Sequence, residues 1–416
     1  MNGTPFQKTW WLMDLHKALG IAIAHHNSGR FRAAEEIYRR ILHRHEGHTI
    51  AGTLLGRLDL MAKRYDECWK HISAVVSQTK DYMQVYNLLG EYNEQMGRLD
   101  EATVAFRRAL ILTPNQANPT VSMGNLAQQS ENSSQKDKMV VEKLYRWALI
   151  CQPKSTAAAN NLAAVLLQKQ DGSSALRILE NVLSTDPNNV RANAYKVVGL
   201  RGVGKNQEAN VLVGFGSLVR TFNIANEGHI SNLEKFNKEL SRTLKNHPNL
   251  SSDWDPHHRA IRGGAVVPRL FDHKSEILEV LEGTLRQLID GYVQSLPEDS
   301  KHPYLSRKPS NYELDIWANL LGPDDHQSAH IHNQGWMSGV YYVTVPSHID
   351  ASNPHAGWIE FNRPGYGLPC LGGDENIEVI EPKAGMVILF PSYVWHGTIP
   401  FVGTGERISI AFDLHM

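Results

Sequence analysis

Between Tyr86 and Asn115 the apolar positions recur every three or four residues in two stretches, broken at Gly97 and stopped at Pro114. Small residues, Gly90, Ala102 and Ala109, stand where two helices would touch, with Leu89 and Phe106 beside them. The same offsets return upstream as Ile21, Ala22, Gly29, Ala34, Tyr38 and Ile41, before a turn near Glu46. They return downstream as Leu162, Ala163, Ala175, Leu179 and Val182, leading to Asp186-Pro187-Asn188, and Pro153 and Pro187 are 34 residues apart. A stretched copy carries Asn125, Leu126, Ala127, Tyr145 and Ala148, with its turn enlarged over 130–138, and a weaker copy occupies 50–80. Each unit can bury its apolar face only against its neighbours, so about five or six of them predict a stacked α-solenoid with a concave surface. On that surface, polar residues such as Asn160 and Asn161 are candidates to grip a peptide backbone.

These positions and this period resemble the tetratricopeptide repeat over residues 15–220. The pattern then loosens. From 221 to 310 helical stretches flank a polar break near 246–264, and the run from Ile277 to Leu296 has the spacing of a helix packed outside the next domain. From Tyr312 onward the alternation becomes that of short strands rich in β-branched and aromatic residues: 312–321, 338–346, 357–361, 377–382, 385–391 and 407–414. Such strands, separated by Gly and Pro turns, predict a double-stranded β-helix, or jelly roll, over 311–416. The fold class expected is therefore α+β and multidomain: solenoid, helical joining segment, barrel.

Length agrees, since 416 residues exceed what one hydrophobic core serves. Charge narrows the function. Lys and Arg number 42 against 43 Asp and Glu, for a net charge of -1, which lacks the basic footprint of a dedicated nucleic-acid binder. Cys68, Cys151 and Cys370 show no paired spacing, so neither a disulfide framework nor a cysteine metal knuckle is expected, and a reducing cytoplasm fits. The apolar run Trp10 to Met13 is cut by Asp14 and does not read as a signal peptide. No run approaches the roughly 18 apolar residues of a membrane span.

Among the 20 histidines, the distinctive group lies near the barrel strands. His330 and His332 are two apart in an extended stretch and so share a face; His396 follows Phe390-Pro391 at a strand end. Three imidazoles on one face suit a first-row metal and leave positions open for a chelating cosubstrate and oxygen. Arg407 and Ser409 also share a face, where a guanidinium and a hydroxyl would hold a dicarboxylate. His257 and His258 are adjacent, diverge, and are poor ligands as a pair; His326 reads as an ordinary hydrogen-bonded histidine.

The ordered set HxH, SGVYY, FP, His and RxS resembles the Fe(II)/2-oxoglutarate oxygenase superfamily, most closely its 2-oxoglutarate-Fe(II) oxygenase branch, over about 222–416. The resemblance implies Fe(II), 2-oxoglutarate and molecular oxygen as the reacting set. It assigns His396 to the metal, Arg407 and Ser409 to the distal carboxylate of 2-oxoglutarate, and Tyr342 to a further contact. The sequence departs from the superfamily at one place: His-any-Asp/Glu is replaced by His330-Ile331-His332. Either His332 takes the carboxylate's position, giving metal ligands His330, His332 and His396, or His332 is the first ligand, Gln334 stands at the carboxylate offset, and Asp324, Asp325 or Glu360 supplies the anion. The loop 362–373, rich in Gly and Pro, is either a lid or a connector.

The resemblance implies a dioxygenase that hydroxylates an aliphatic C–H of a peptide, protein or small molecule, with the repeats holding substrate or a protein partner. Two other classes compete with it: a three-histidine dioxygenase independent of 2-oxoglutarate, and a repeat-based interaction protein with a degenerate barrel.

Overall fold

The computed structural model describes residues 14–129, 135–227, 230–252, 260–346, 348–349 and 353–416. The Trp10 to Met13 run, His257, His258 and the first part of the enlarged turn lie outside these residues. By compactness the chain divides into Met1–Ala158 and Ala159–Met416.

The first unit is built of helices α1 (Leu15–Asn27), α2 (Phe31–Arg44), α3 (Thr49–Met61), α4 (Tyr65–Gln78), α5 (Met83–Gln95), α6 (Leu99–Leu112), α7 (Ala117–Gln129) and α8 (Gln135–Cys151). Packing within each pair follows from residue size. Gly90 on α5 receives the Phe106 ring of α6 so closely that a β-carbon there would overlap it. Gly124 on α7 does the same for Tyr145 of α8, whose ring would stand 2.6 Å from an added β-carbon. In the first pair the small residue is Ala22 and the ring Tyr38, and neither has any exposed surface. Gly97, where the sequence predicted a break, has φ +71, a left-handed conformation that closes α5 without a side-chain clash. Helix α8 begins at Gln135, inside the stretch expected to be turn.

The second unit opens on the remaining helices of the array, α9 (Thr156–Gln168, from Ala159), α10 (Gly172–Thr185), α11 (Val190–Gly202) and α12 (Asn206–Val213). Asn160 is not open to a ligand as expected. It is 4 % exposed, and its side-chain amide donates to Asn189 Oδ1 at 3.2 Å, linking α9 to the N-terminus of α11.

A six-stranded antiparallel sheet follows, ordered β1 (Arg220–Asn223), β10 (Met386–Pro391), β6 (Met337–Thr344), β13 (Arg407–His415), β4 (Glu313–Leu321), β3 (Ala265–Val267). A smaller sheet orders β11 (His396–Thr398), β8 (Ile359–Phe361) and β9 (Glu378–Ile380), and two pairs join β12 (Gly403–Thr404) to β7 (His348–Ile349) and β2 (Ile261–Arg262) to β5 (His326–Gln327). This is the helical solenoid followed by the antiparallel, sheet-rich region expected of a jelly roll. The joining segment is less purely helical than its pattern: it supplies both edges of the large sheet, β1 and β3. These strands have four and three residues and are fixed by remote partners, Arg220 opposite Leu389 and Val267 opposite Ala318. Too few residues are present for alternation to be read from the chain alone. Helices α13 (Leu233–Lys245) and α14 (Glu276–Ser295) account for the helical part.

Alternation along β13 decides the site. Ile408, Ile410, Phe412 and Leu414 fill the core on one face, and Arg407, Ser409, Ala411 and Asp413 point to the other. That face looks into the barrel. No helix among the described residues is long and apolar enough to cross a membrane.

Candidate metal centre

His330 and His396 form an isolated antiparallel bridge, each backbone N–H donating to the other's carbonyl at 2.9 and 3.1 Å. The approach needs Gly397: a β-carbon there would lie 3.1 Å from the backbone nitrogen of Ala329. The turn before His396 is clamped by the helical array of the same unit. Tyr393 donates to the Leu212 carbonyl at 2.7 Å, Trp395 donates to that of Ala194 at 3.3 Å, and Tyr195 stacks on Trp395.

The three imidazoles converge. His332 Nε2 lies 3.1 Å from His330 Nε2 and 3.2 Å from His396 Nε2. Their Nδ1 atoms face the Ser328 carbonyl at 2.8 Å, the Asp413 carboxylate at 2.7 Å and the Val394 carbonyl at 3.0 Å, for His330, His332 and His396 in turn. Carbonyl and carboxylate oxygens only accept, so each Nδ1 carries a proton and donates it. In the neutral rings the three Nε2 lone pairs then point at one spot, an arrangement that suits a cation and little else. Burial disfavours the imidazolium form, aided by the neighbouring rings: His330 is pushed down to about 3 and His396 well below the usual histidine range. Trp317 stacks on His332, ring centroids 5.7 Å apart.

Two of the alternative carboxylates are engaged elsewhere. Asp325 accepts from the Gly322 backbone at 2.8 Å, and Glu360 accepts from Arg363 at 2.9 Å. Asp324 is outside the cluster formed by His330, His332 and His396, and Gln334 lines a cleft with His330 and His332. His326 has the ordinary role expected of it, with Nδ1 3.3 Å from the Asp324 carbonyl.

Arg407 is 1 % exposed, yet its Nε and Nη1 have no partner, and no carboxylate of the described residues pairs with it. Its Nη2 donates to the Tyr342 hydroxyl at 3.3 Å, and the guanidinium lies over that ring. Ser409 Oγ, in register with both Asn319 and Tyr342, is also buried and unpartnered, as are both amide atoms of Asn319. Unsatisfied buried donors on this scale are rare and point to a polar ligand. A narrow cavity of about 20 Å³ touches Arg407 and all three histidines. A cleft of about 750 Å³ that shares His330 and His332 with it opens to solvent, bounded by Arg262, Trp317, Gln327, Asn333 and Tyr366 among others. Loop 362–373 reaches this cleft through Gly365 and Tyr366, while Leu371 packs on Gly202 and Arg363 is paired with Glu360 and Asp374, so most of its length is tied down.

Residues 315–413 match the family model described as "Putative 2OG-Fe(II) oxygenase". That match spans the barrel from β4 to β13. Residues 84–116 match that of the tetratricopeptide repeat. No curated protein matches the chain. Similar solved structures include a thermophilic TPR protein of Thermus thermophilus, at 18% identity, TM-score 0.38, covering 44% of this chain and 98% of that one. They include PilF of Pseudomonas aeruginosa, at 13% identity, TM-score 0.42, 47% and 86%. A prolyl-4-hydroxylase of Pseudomonas putida is similar at 15% identity, TM-score 0.33, 50% and 95%.

Two residues of this site are not legible in the sequence. Asp413 holds His332, and Asn319 stands beside Ser409; what brings them in is the register of β13 against β4 and β6, which spacing along the chain does not encode.

Proposed function

We propose that residues 311–416 form an Fe(II)- and 2-oxoglutarate-dependent dioxygenase that hydroxylates an aliphatic C–H of a peptide, protein or small molecule. The observation that carries this reading is the pairing of three convergent imidazole lone pairs with a buried guanidinium lacking a counter-charge. His330, His332 and His396 would hold Fe(II), each fixed in one tautomer by the acceptor on its Nδ1. Fe(II) with 2-oxoglutarate and oxygen supplies the oxidising power, and the products are succinate, carbon dioxide and a hydroxylated carbon. Arg407 would bind the distal carboxylate, steadied by the Tyr342 hydroxyl, with Ser409 and the Asn319 amide adding donors beside it. The cleft rimmed by Trp317 and Tyr366 would seat the substrate carbon and shed its water as it fills.

The solenoid over 15–220 would hold the substrate or a protein partner, joined through 221–310 to the barrel. All three cysteines are thiols, as suits a reducing cytoplasm.

The test is succinate formation by metal-free protein supplied with Fe(II) and 2-oxoglutarate in air, measured by mass spectrometry. Wild type is expected to release succinate, and Arg407→Ala and His396→Ala to lose it. Bound iron without succinate, with or without candidate substrates, sinks the reading. Oxygen consumption in that case would favour a three-histidine dioxygenase independent of 2-oxoglutarate, the class that an all-imidazole donor set also suits.

A further inference from the structure

An oxygenase site with three neutral ligands poses a question of charge. Fe(II) brings two positive charges and Arg407 a third into a buried space, whereas 2-oxoglutarate brings two negative ones. A carboxylate ligand would close that balance, and here its position is taken by His332.

Asp413 stands where the missing charge is needed. It lies on the inner face of β13, 8 % exposed, opposite Ser338 of β6 and Asp315 of β4. One oxygen accepts the Nδ1 proton of His332 at 2.7 Å; the other accepts the Ser338 hydroxyl at 2.7 Å. Ser338 in turn receives the hydroxyl of Ser392, 2.8 Å away, in the turn that leads to His396. With both oxygens occupied by donors, the carboxylate is held ionised although it is buried. Space is fitted to it as well: a β-carbon at Gly335 would lie 3.4 Å from the Asp413 carboxyl carbon and closer still to Ser392. The other acids nearby do not serve. Asp315 is exposed and screened by solvent, and Glu360 is neutralised by Arg363.

We propose that Asp413 is a positioning residue that supplies, through His332, the negative charge a carboxylate ligand would otherwise give the metal. The carboxylate has moved one bond network outward rather than being lost. Its pull on the Nδ1 proton gives the His332 ring imidazolate character, raises its donor strength and fixes its plane. This rests on the three-histidine reading of the metal site.

The experiment is anaerobic Fe(II) titration, by calorimetry and in the absence of 2-oxoglutarate, of wild type, Asp413→Asn, His332→Asp and the double variant. Asp413→Asn keeps the shape and an acceptor but removes the charge; Fe(II) affinity should fall 10- to 100-fold, and the bound iron should become harder to oxidise. His332→Asp restores a carboxylate ligand and places it against Asp413, so in that background Asp413→Asn should cost nothing or tighten binding. Equal affinity of wild type and Asp413→Asn overturns the proposal, and so does the same loss in both backgrounds, which marks a residue that only packs the sheet. Wild type that binds no Fe(II) overturns the metal reading itself, and this proposal with it.

Discussion

A guanidinium is costly to bury without an anion, and Arg407 is fully enclosed with two of its nitrogens unpaired. The protein carries this cost in its ligand-free state. Replacing Arg407 with Met removes the unpaired groups while keeping most of the apolar stem, and relieves about 1–3 kcal/mol. The expected outcome is a higher thermal midpoint for ligand-free Arg407→Met than for wild type, together with loss of the further rise that 2-oxoglutarate gives the wild type. A lower midpoint would mean that the guanidinium is satisfied in the folded chain. The residues read from the chain, His330, His332, His396, Arg407 and Ser409, were legible because each sits in a short run whose spacing puts it on a face. Asp413 looks, in sequence, like any polar residue near a strand end, and Asn319 like a lapse in an apolar strand.

At the scale of elements, the metal geometry depends on how near two strands approach. His330 and His396 exchange backbone hydrogen bonds because Gly397 leaves room for Ala329. Gly397→Val would force that pair apart while leaving β13, β4 and β6 in register. The variant should fold, with circular dichroism like wild type, and bind Fe(II) roughly tenfold or more weakly, as expected where an outer contact orients a ligand. Unchanged affinity would show that the bridge does not set the imidazole positions. The long elements, α5, α6, α14, β6 and β13, carry enough residues for their period to be read from the chain. Strands β1 and β3 do not, and it is their pairing across the fold that turns a segment patterned for helices into the two edges of a sheet.

For the whole molecule, the division at Ala158 puts the metal site and the helices that clamp its turn in one compact unit. Fe(II) with 2-oxoglutarate should therefore slow amide hydrogen exchange within 159–416, most strongly in β13 and the Pro391–His396 turn, and leave 14–129 unchanged. Slowed exchange throughout both units would show that they open together. The order of the strands has a further consequence, in time rather than energy. Strand β13 joins β4 to β6 but follows both in the chain. During synthesis from the N-terminus, β6, whose residues are almost all buried in the finished sheet, emerges with both hydrogen-bonding edges bare, one until β10 is made and the other until β13. The helices of the first unit, held by local contacts, are folded by then. About 60 residues separate β6 from β13, which at about 5–20 residues per second is an interval of roughly 3–12 seconds. For that interval each new chain carries a finished repeat array and an unfinished sheet, the point at which two chains made side by side are most apt to pair with each other.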